Sequence, residues 1–483
     1  MRKTKLISLL KTFSKQEIYK LDDFVKSPFF NKNKNVINLC EAVLPYWPEF
    51  NSEELTEENI YSIIFPKEKF DYFKIKNVIS DLYALSTDFL KFSISQNRHP
   101  DNEINLLNAL HDRRLDNIYM QRERKVKQQL QNAEIKDEDN YLRQYQLERV
   151  NIAHYKFAGS SYSFNSIQTE FDSFLQYSLT GMLRLYSKML HNKNHGNIHF
   201  DMKMFENVWQ YAKEMDFSDN PSCLIYKQII SLELSKSESD YRKLLEIKEK
   251  YRKNIPPEEF YYILQEQNSY AAYRLKLGDE NYYIERFRAF REMVEKKFMD
   301  PNYLIFPNVI SVYTSACMAD EYVWAEDFLK KAQSGISPPE EKLNTINYCK
   351  GYLAFRQRDF GKALSLFTKT NFRLYLMKVM VKSYTVRIYY EQNLYEQTIS
   401  AVDTFRHYLK TEQMMAEDQK TAHYEFLRHL AELSRLKLEG INKNTSVDLG
   451  VLRKQIEQMS ANPLGAKNWL IEKTNELNIK GAN

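Results

Sequence analysis

Residues 343–370, LNTINYCKGYLAFRQRDFGKALSLFTKT, decide the fold. The first half carries two apolar stripes at helical spacing. Leu343, Ile346 and Leu353 share one side, and Tyr348, Tyr352 and Phe355 share another. Two stripes describe a helix covered on two sides rather than a simple surface helix. Arg356-Gln357-Arg358-Asp359 is a polar break, and Asp359 is suited to cap a second helix. That short helix carries Phe360, Ala363, Leu364 and Phe367. Small residues, Gly351 and Ala363, stand where the two helices would cross most closely. The stretch reads as a helical hairpin.

The hairpin has neighbours of the same kind. From Asp201 onward, breaks fall at Asp219-Asn220-Pro221, Ser237–Asp240, Pro256-Pro257, Gly278-Asp279, Asp300-Pro301, Asp320-Glu321, Pro338-Pro339 and Asn393. Corresponding positions early in the second helix of each unit are Leu244, Phe287, Ala325, Ala363 and Thr398, spaced 43, 38, 38 and 35 residues apart. The unit around Ala325 is the best second copy, with Val309, Val312, Ala316, Tyr322, Leu329 and Ala332 at its packing positions. Gly351, Phe360, Ala363 and Phe367 together resemble a tetratricopeptide repeat, which uses a small residue in helix A, an aromatic at the turn, then an alanine and an aromatic in helix B. The resemblance covers residues 301–410; upstream only the period persists. Asn347 and Lys350 depart from it, where the family prefers large apolar residues, and Tyr375 replaces the closing proline. It implies a right-handed solenoid of hairpins with a concave face that takes a protein or peptide.

Composition agrees with helices. There are 11 glycines and 13 prolines in 483 residues, and glycine is far below the roughly 7% usual in proteins. Few turn residues over this length mean long elements and short connections. Lys and Arg number 69 against 64 Asp and Glu. That near balance argues against a dedicated nucleic-acid binder, while leaving nucleic acid open. Cys40, Cys223, Cys317 and Cys349 form no CxxC pair and read as single buried thiols of a reducing compartment. No secretory leader and no apolar run of membrane length is visible, so the expected location is cytoplasmic, with no membrane contact.

Residues 1–98 read as a helical N-terminal module. Ser14 and Glu17 form a capping box, Asn33 or Asn35 and Thr56 are further caps, and Pro28 ends a helix by Ser27. Residues 99–200 read as a long helical hairpin with connecting helices. One helix is expected over 102–131, a second over 141–157, a loop at 159–163, an apolar helix through Phe171 and Leu190, and another loop at HNKNHGNIH. Residues 201–483 are then the hairpin array with C-terminal capping helices. Residues 373–390, rich in β-formers, read as helix because Leu374, Met377, Val381, Tyr384 and Ile388 keep helical spacing. The fold class is all-α.

No catalytic motif emerges: no Walker A loop, no GxGxxG, HExxH or GxSxG. No cofactor and no enzymatic activity are expected. His191, His195 and His199 would share a face of a continuous helix and could hold a metal. The asparagines and Gly196 between them favour solvated loop histidines instead, so no metal is expected. Arg113, Arg114, Arg122, Arg124, Lys125 and Lys127 alternate with acids and read as a solvated face. The candidate peptide-binding residues are Tyr348, Tyr352, Phe355 and Arg356, with Arg387 and Tyr389 from the next unit. Aromatics and arginine dominate binding energy at interfaces. The same tyrosines fit an inter-repeat core, and that reading is the stronger of the two. The expected function is a scaffold or adaptor binding a protein or peptide. The alternative is a regulator whose N-terminal module, with Lys3, Lys5, Lys11, Lys15, Lys32 and Lys34, contacts nucleic acid while the tetratricopeptide-like solenoid senses a ligand.

Overall fold

Local capping sets where the first helices begin. The Glu17 carboxylate accepts from the Ser14 amide at 2.8 Å while the Ser14 hydroxyl accepts from the Glu17 amide. These two bonds satisfy amides that the start of a helix leaves unpaired. They open α2 (Lys15–Lys26). Thr4 caps α1 (Lys5–Leu10), Asn33 caps α3 (Lys34–Val43), and Thr56 caps α4 (Glu57–Ile64). With α5 (Tyr72–Asn97) they enclose a core containing Leu6, Leu21, Val25, Leu39, Ile60 and Leu82. The computed structural model describes residues 1–97, 99–156, 162–196, 198–439 and 443–481.

The middle of the chain holds α6 (His99–Asp112), α7 (Asp116–Gln131), α8 (Glu138–Lys156) and α9 (Tyr162–Gly196). The single helix expected over 102–131 is two. Arg114 turns left-handed at φ 57°, and α7 folds back on α6. No glycine or proline marks that turn, so the apolar stripe read straight through it. Of the expected loop at 159–163, residues 159–161 lie outside the described residues, and Tyr162 and Ser163 belong to α9. Much of the expected histidine loop is also helix, since α9 continues to Gly196.

By its contacts the chain divides into two compact units. One is residues 1–134 with 139–177; the other is 135–138 with 178–483. The division expected from the sequence lies at 98/99 and 200/201. Ser95 and Asn102 hydrogen-bond across the first of those points at 3.0 Å, and α9 is continuous across 177/178.

The second unit continues with α10 (Phe205–Glu214), α11 (Pro221–Ser235), α12 (Glu238–Lys250), α13 (Pro257–Lys276), α14 (Tyr282–Glu295), α15 (Phe306–Met318) and α16 (Tyr322–Ala332). Then come α17 (Lys342–Arg356), α18 (Phe360–Phe367), α19 (Tyr375–Glu391), α20 (Tyr395–Thr411), α21 (Glu417–Glu439), α22 (Lys443–Glu457) and α23 (Ala466–Gly481). Helices pack in chain order as pairs: α11 on α12, α13 on α14, α15 on α16, α17 on α18, α19 on α20 and α22 on α23. First helices also meet the next pair, α11 on α13 and α15 on α17. The expected breaks fall between helices or at their first turns: Pro221 and Pro257 open α11 and α13, and Glu238–Asp240 already belong to α12. Leu244, Phe287, Ala325, Ala363 and Thr398 are buried at their corresponding places in the second helices. The β-rich stretch is α19. Among the described residues there is no strand, only an isolated bridge between Ile305 and Ser337. None of the described helices is long and apolar enough to cross a membrane.

In the opening hairpin, Asp359 accepts from the Lys362 amide at 3.1 Å and starts α18. A Cβ on Gly351 would stand 3.0 Å from the Phe367 ring, so glycine permits the close crossing. Leu343 departs from expectation: it is 68% exposed.

Candidate functional site

The C-terminal segment shapes the site. Between α22 and α23 the chain breaks at Asn462-Pro463-Leu464-Gly465, where Leu464 and Gly465 both take positive φ. The Asn462 amide donates to the Lys276 carbonyl at 2.9 Å. The Asn468 side chain donates to the Gly278 carbonyl at 3.1 Å. These bonds satisfy carbonyls that the end of α13 leaves open. They tie the tail to a helix almost two hundred residues upstream in the same unit.

Under this segment lies a pocket of about 470 Å³. Its walls come from the end of α13 (Leu275, Lys276), the start of α14 (Tyr283, Arg286), Met318, the first turns of α19 (Leu376, Val379, Met380) and α21 (Asp418, Ala422, His423). Most of the lining is apolar, with a few polar groups among it, which is the usual make-up of a small-ligand site.

The polar groups are electrostatically lopsided. Arg286 donates from Nε to Asn268 Oδ1 at 3.0 Å and lies 5.6 Å from the Phe290 ring centre. Arg387, 3% exposed, donates to the Leu464 carbonyl at 2.9 Å and the Pro463 carbonyl at 3.3 Å. Its guanidinium is enclosed by the Tyr384, Phe426 and Trp469 rings, and its Nε has no hydrogen-bond partner. Burial pushes the pKa of both guanidiniums down from the ordinary arginine value. Neither forms an ion pair with a carboxylate among the described residues. His423, 6% exposed, is held down to about 4 by burial and then by the charge of Arg387, and its Nδ1 has no hydrogen-bond partner. At the rim, Lys276 and Asp418 stand 4.0 Å apart and cancel.

No protein-family model, curated protein or solved structure matches this chain. The reading therefore rests on the residues themselves.

The six residues expected to bind a peptide separate here. Tyr348 and Tyr352 are 0% and 1% exposed, packed with Phe367 and Tyr384. They form core between hairpins and offer no surface in this conformation, which corrects the groove expectation for both. Arg387 is also buried and clamps the tail. Phe355 is half-buried between Phe360 and Tyr384, Arg356 reaches Asp320 at 3.1 Å, and Tyr389 is half-buried. Tyr283, Arg286, His423 and residues 460–465 were not foreseen. The Asn-Pro-Leu-Gly break was the visible signal for the last of these.

The histidines also part company. His191 lies on α9 with Nδ1 2.8 Å from Glu266 Oε1 and 3.5 Å from Glu233 Oε1. His199 lies beyond that helix and is exposed; the side chain of His195 lies outside the described residues. His191, Glu233 and Glu266 could offer three ligand atoms within 4.8 Å of one another. However, Glu233 also pairs with Lys236 at 2.6 Å and accepts from Asn194. Burial opposes the imidazolium, but hydrogen bonds to Glu233 and Glu266 outweigh it and raise the His191 pKa to about 10. Burial also pushes the Glu266 carboxyl up to about 7, and Lys236 supplies a second cation beside Glu233.

Proposed function

We propose that the chain is a non-enzymatic, cytoplasmic scaffold or adaptor. In this reading its second unit is a tetratricopeptide-like solenoid of α-hairpins that takes a protein or peptide partner on its concave face. One observation carries it: the pocket of about 470 Å³ is walled by α13, α14, α15, α19 and α21, helices from several hairpins of the second unit. A groove lined by one helix after another is how such arrays hold extended chains. Phe355, Arg356 and Tyr389 remain accessible enough to extend that face. Four buried free cysteines fit a reducing compartment. The test is affinity capture from native lysate with wild type and Met380→Trp, which fills the pocket. A partner held by wild type and lost by the variant supports the reading. Equal recovery by both proteins, or no partner at all, defeats it.

One observation favours the second reading, a regulator with a nucleic-acid-contacting N-terminal module. Lys3, Lys5, Lys11, Lys15, Lys32 and Lys34 are all exposed, and none forms an ion pair among the described residues. Duplex binding measured across salt concentrations tests it, because phosphate contacts give a steep salt slope. A flat response removes it.

A further inference from the structure

The pocket carries an unbalanced charge, and that imbalance reaches beyond the scaffold reading. Arg286 faces the pocket, and Arg387 lies behind the Pro463 and Leu464 carbonyls that roof it. Both guanidiniums have Tyr283 and Tyr352 among their nearest titratable neighbours, so they charge one neighbourhood. The nearby tyrosines are neutral, since burial raises Tyr283 to about 12 and Tyr352 well above its ordinary value. His423 is neutral as well. Arg356 has its own counter-ion in Asp320. The acid nearest Tyr283 is Glu280, which is exposed and accepts from Asn468 at 2.9 Å. The rim pair Lys276–Asp418 contributes no net charge. One buried guanidinium, Arg387, and one half-buried one, Arg286, are thus left without a paired carboxylate among the described residues. Proteins rarely keep a desolvated charge unmatched, because its lost hydration is not returned.

The remaining lining says what would match it. Leu275, Met318, Leu376, Val379 and Met380 give an apolar body to the pocket, and methionine suits variable apolar shapes. A volume of about 470 Å³ holds one small molecule, or the end of a longer partner lying on the same face. Asn462 has no spare acceptor for a peptide backbone: its Oδ1 already takes the Lys467 and Asn468 amides.

We propose that this pocket binds an amphipathic organic anion, a carboxylate on an unbranched apolar chain, with its head at Arg286 and its chain along Met318 and Met380. Planar guanidinium and carboxylate match in a two-pronged hydrogen bond. Tyr283 lines the same pocket.

The experiment uses the full-length protein and isothermal titration calorimetry with decanoate, decanol and acetate, on wild type, Arg286→Met and Met380→Trp. Circular dichroism first checks each variant for its helical signal. Wild type is expected to bind one decanoate, and to bind decanol and acetate about tenfold more weakly or worse, the size of a lost charged hydrogen bond. Arg286→Met is expected to erase the preference for decanoate over decanol. Met380→Trp is expected to abolish both. If Arg286→Met fails to fold, the decanoate-to-decanol ratio on wild type still decides. Equal binding of acid and alcohol, several equivalent sites, or no saturable binding overturns the proposal. So does binding of a short apolar peptide with a free C-terminus while decanoate fails, an outcome that leaves the scaffold reading standing.

Discussion

Two buried charge sets in the second unit invite comparison. Around His191 the charges are paired: Glu266 and Glu233 face the imidazole within 3.5 Å, and Lys236 faces Glu233 at 2.6 Å. Around Arg286 and Arg387 they do not close, and backbone carbonyls and aromatic rings stand in for a counter-ion. The first set behaves as structure, because removing any member exposes the others. The second behaves as a site waiting for an anion. Burial alone does not separate the two; the local charge balance does.

The largest effect should come from breaking the closed set. Glu266→Gln leaves His191 and Lys236 facing one carboxylate in a buried place, and about 3–5 kcal/mol of stability should be lost. Urea unfolding measures it. A loss below about 1 kcal/mol would mean the set is not closed.

Next is the pH response. An imidazolium favoured by the fold contributes all of its stability below the unfolded pKa of about 6.5. That contribution is lost as pH rises through the folded value of about 10. The stability gap between wild type and His191→Leu should therefore shrink steadily from pH 7 to pH 10. Arginine stays charged over that range, so the gap for Arg387→Met should remain flat. Parallel urea series at several pH values check both statements.

A smaller effect is expected from Arg387→Met. It loses hydrogen bonds to two carbonyls, about 1–2 kcal/mol, but it also removes an unmatched charge. The net change should be well below that of Glu266→Gln. Hydrogen exchange at residues 460–465 should nevertheless quicken, because Arg387 holds that segment. The smallest effect is expected from Arg358→Ala. Its pair with Glu472 is 71% and 49% exposed, and such pairs contribute roughly 0–1 kcal/mol.

Much of the helix order was legible in the sequence because its signals are local. Ser14, Asn33, Thr56 and Asp359 each announce a helix start within four residues, and each caps one. Gly351 against Phe367 was legible for the same reason: both lie in one hairpin. The turn at Arg114 was not, since a non-glycine residue took the left-handed conformation. The pocket was not legible either. Arg286 sits in ERFRAF as any arginine on an amphipathic helix would, and only contacts across more than a hundred residues make it special. His191 looked paired with His195 and His199 by spacing, yet its partners come from α11 and α13. Tyr348 and Tyr352 looked like contacts because aromatic stripes are the same whether they meet a ligand or the next helix.

The most direct test of the binding account is hydrogen exchange on the full chain, with and without the partner captured by wild type. Protection should appear at residues 376–383, 415–423 and 460–465, where the pocket is built. Protection confined to residues 1–97 would contradict the account and turn attention to the lysine-bearing N-terminal helices.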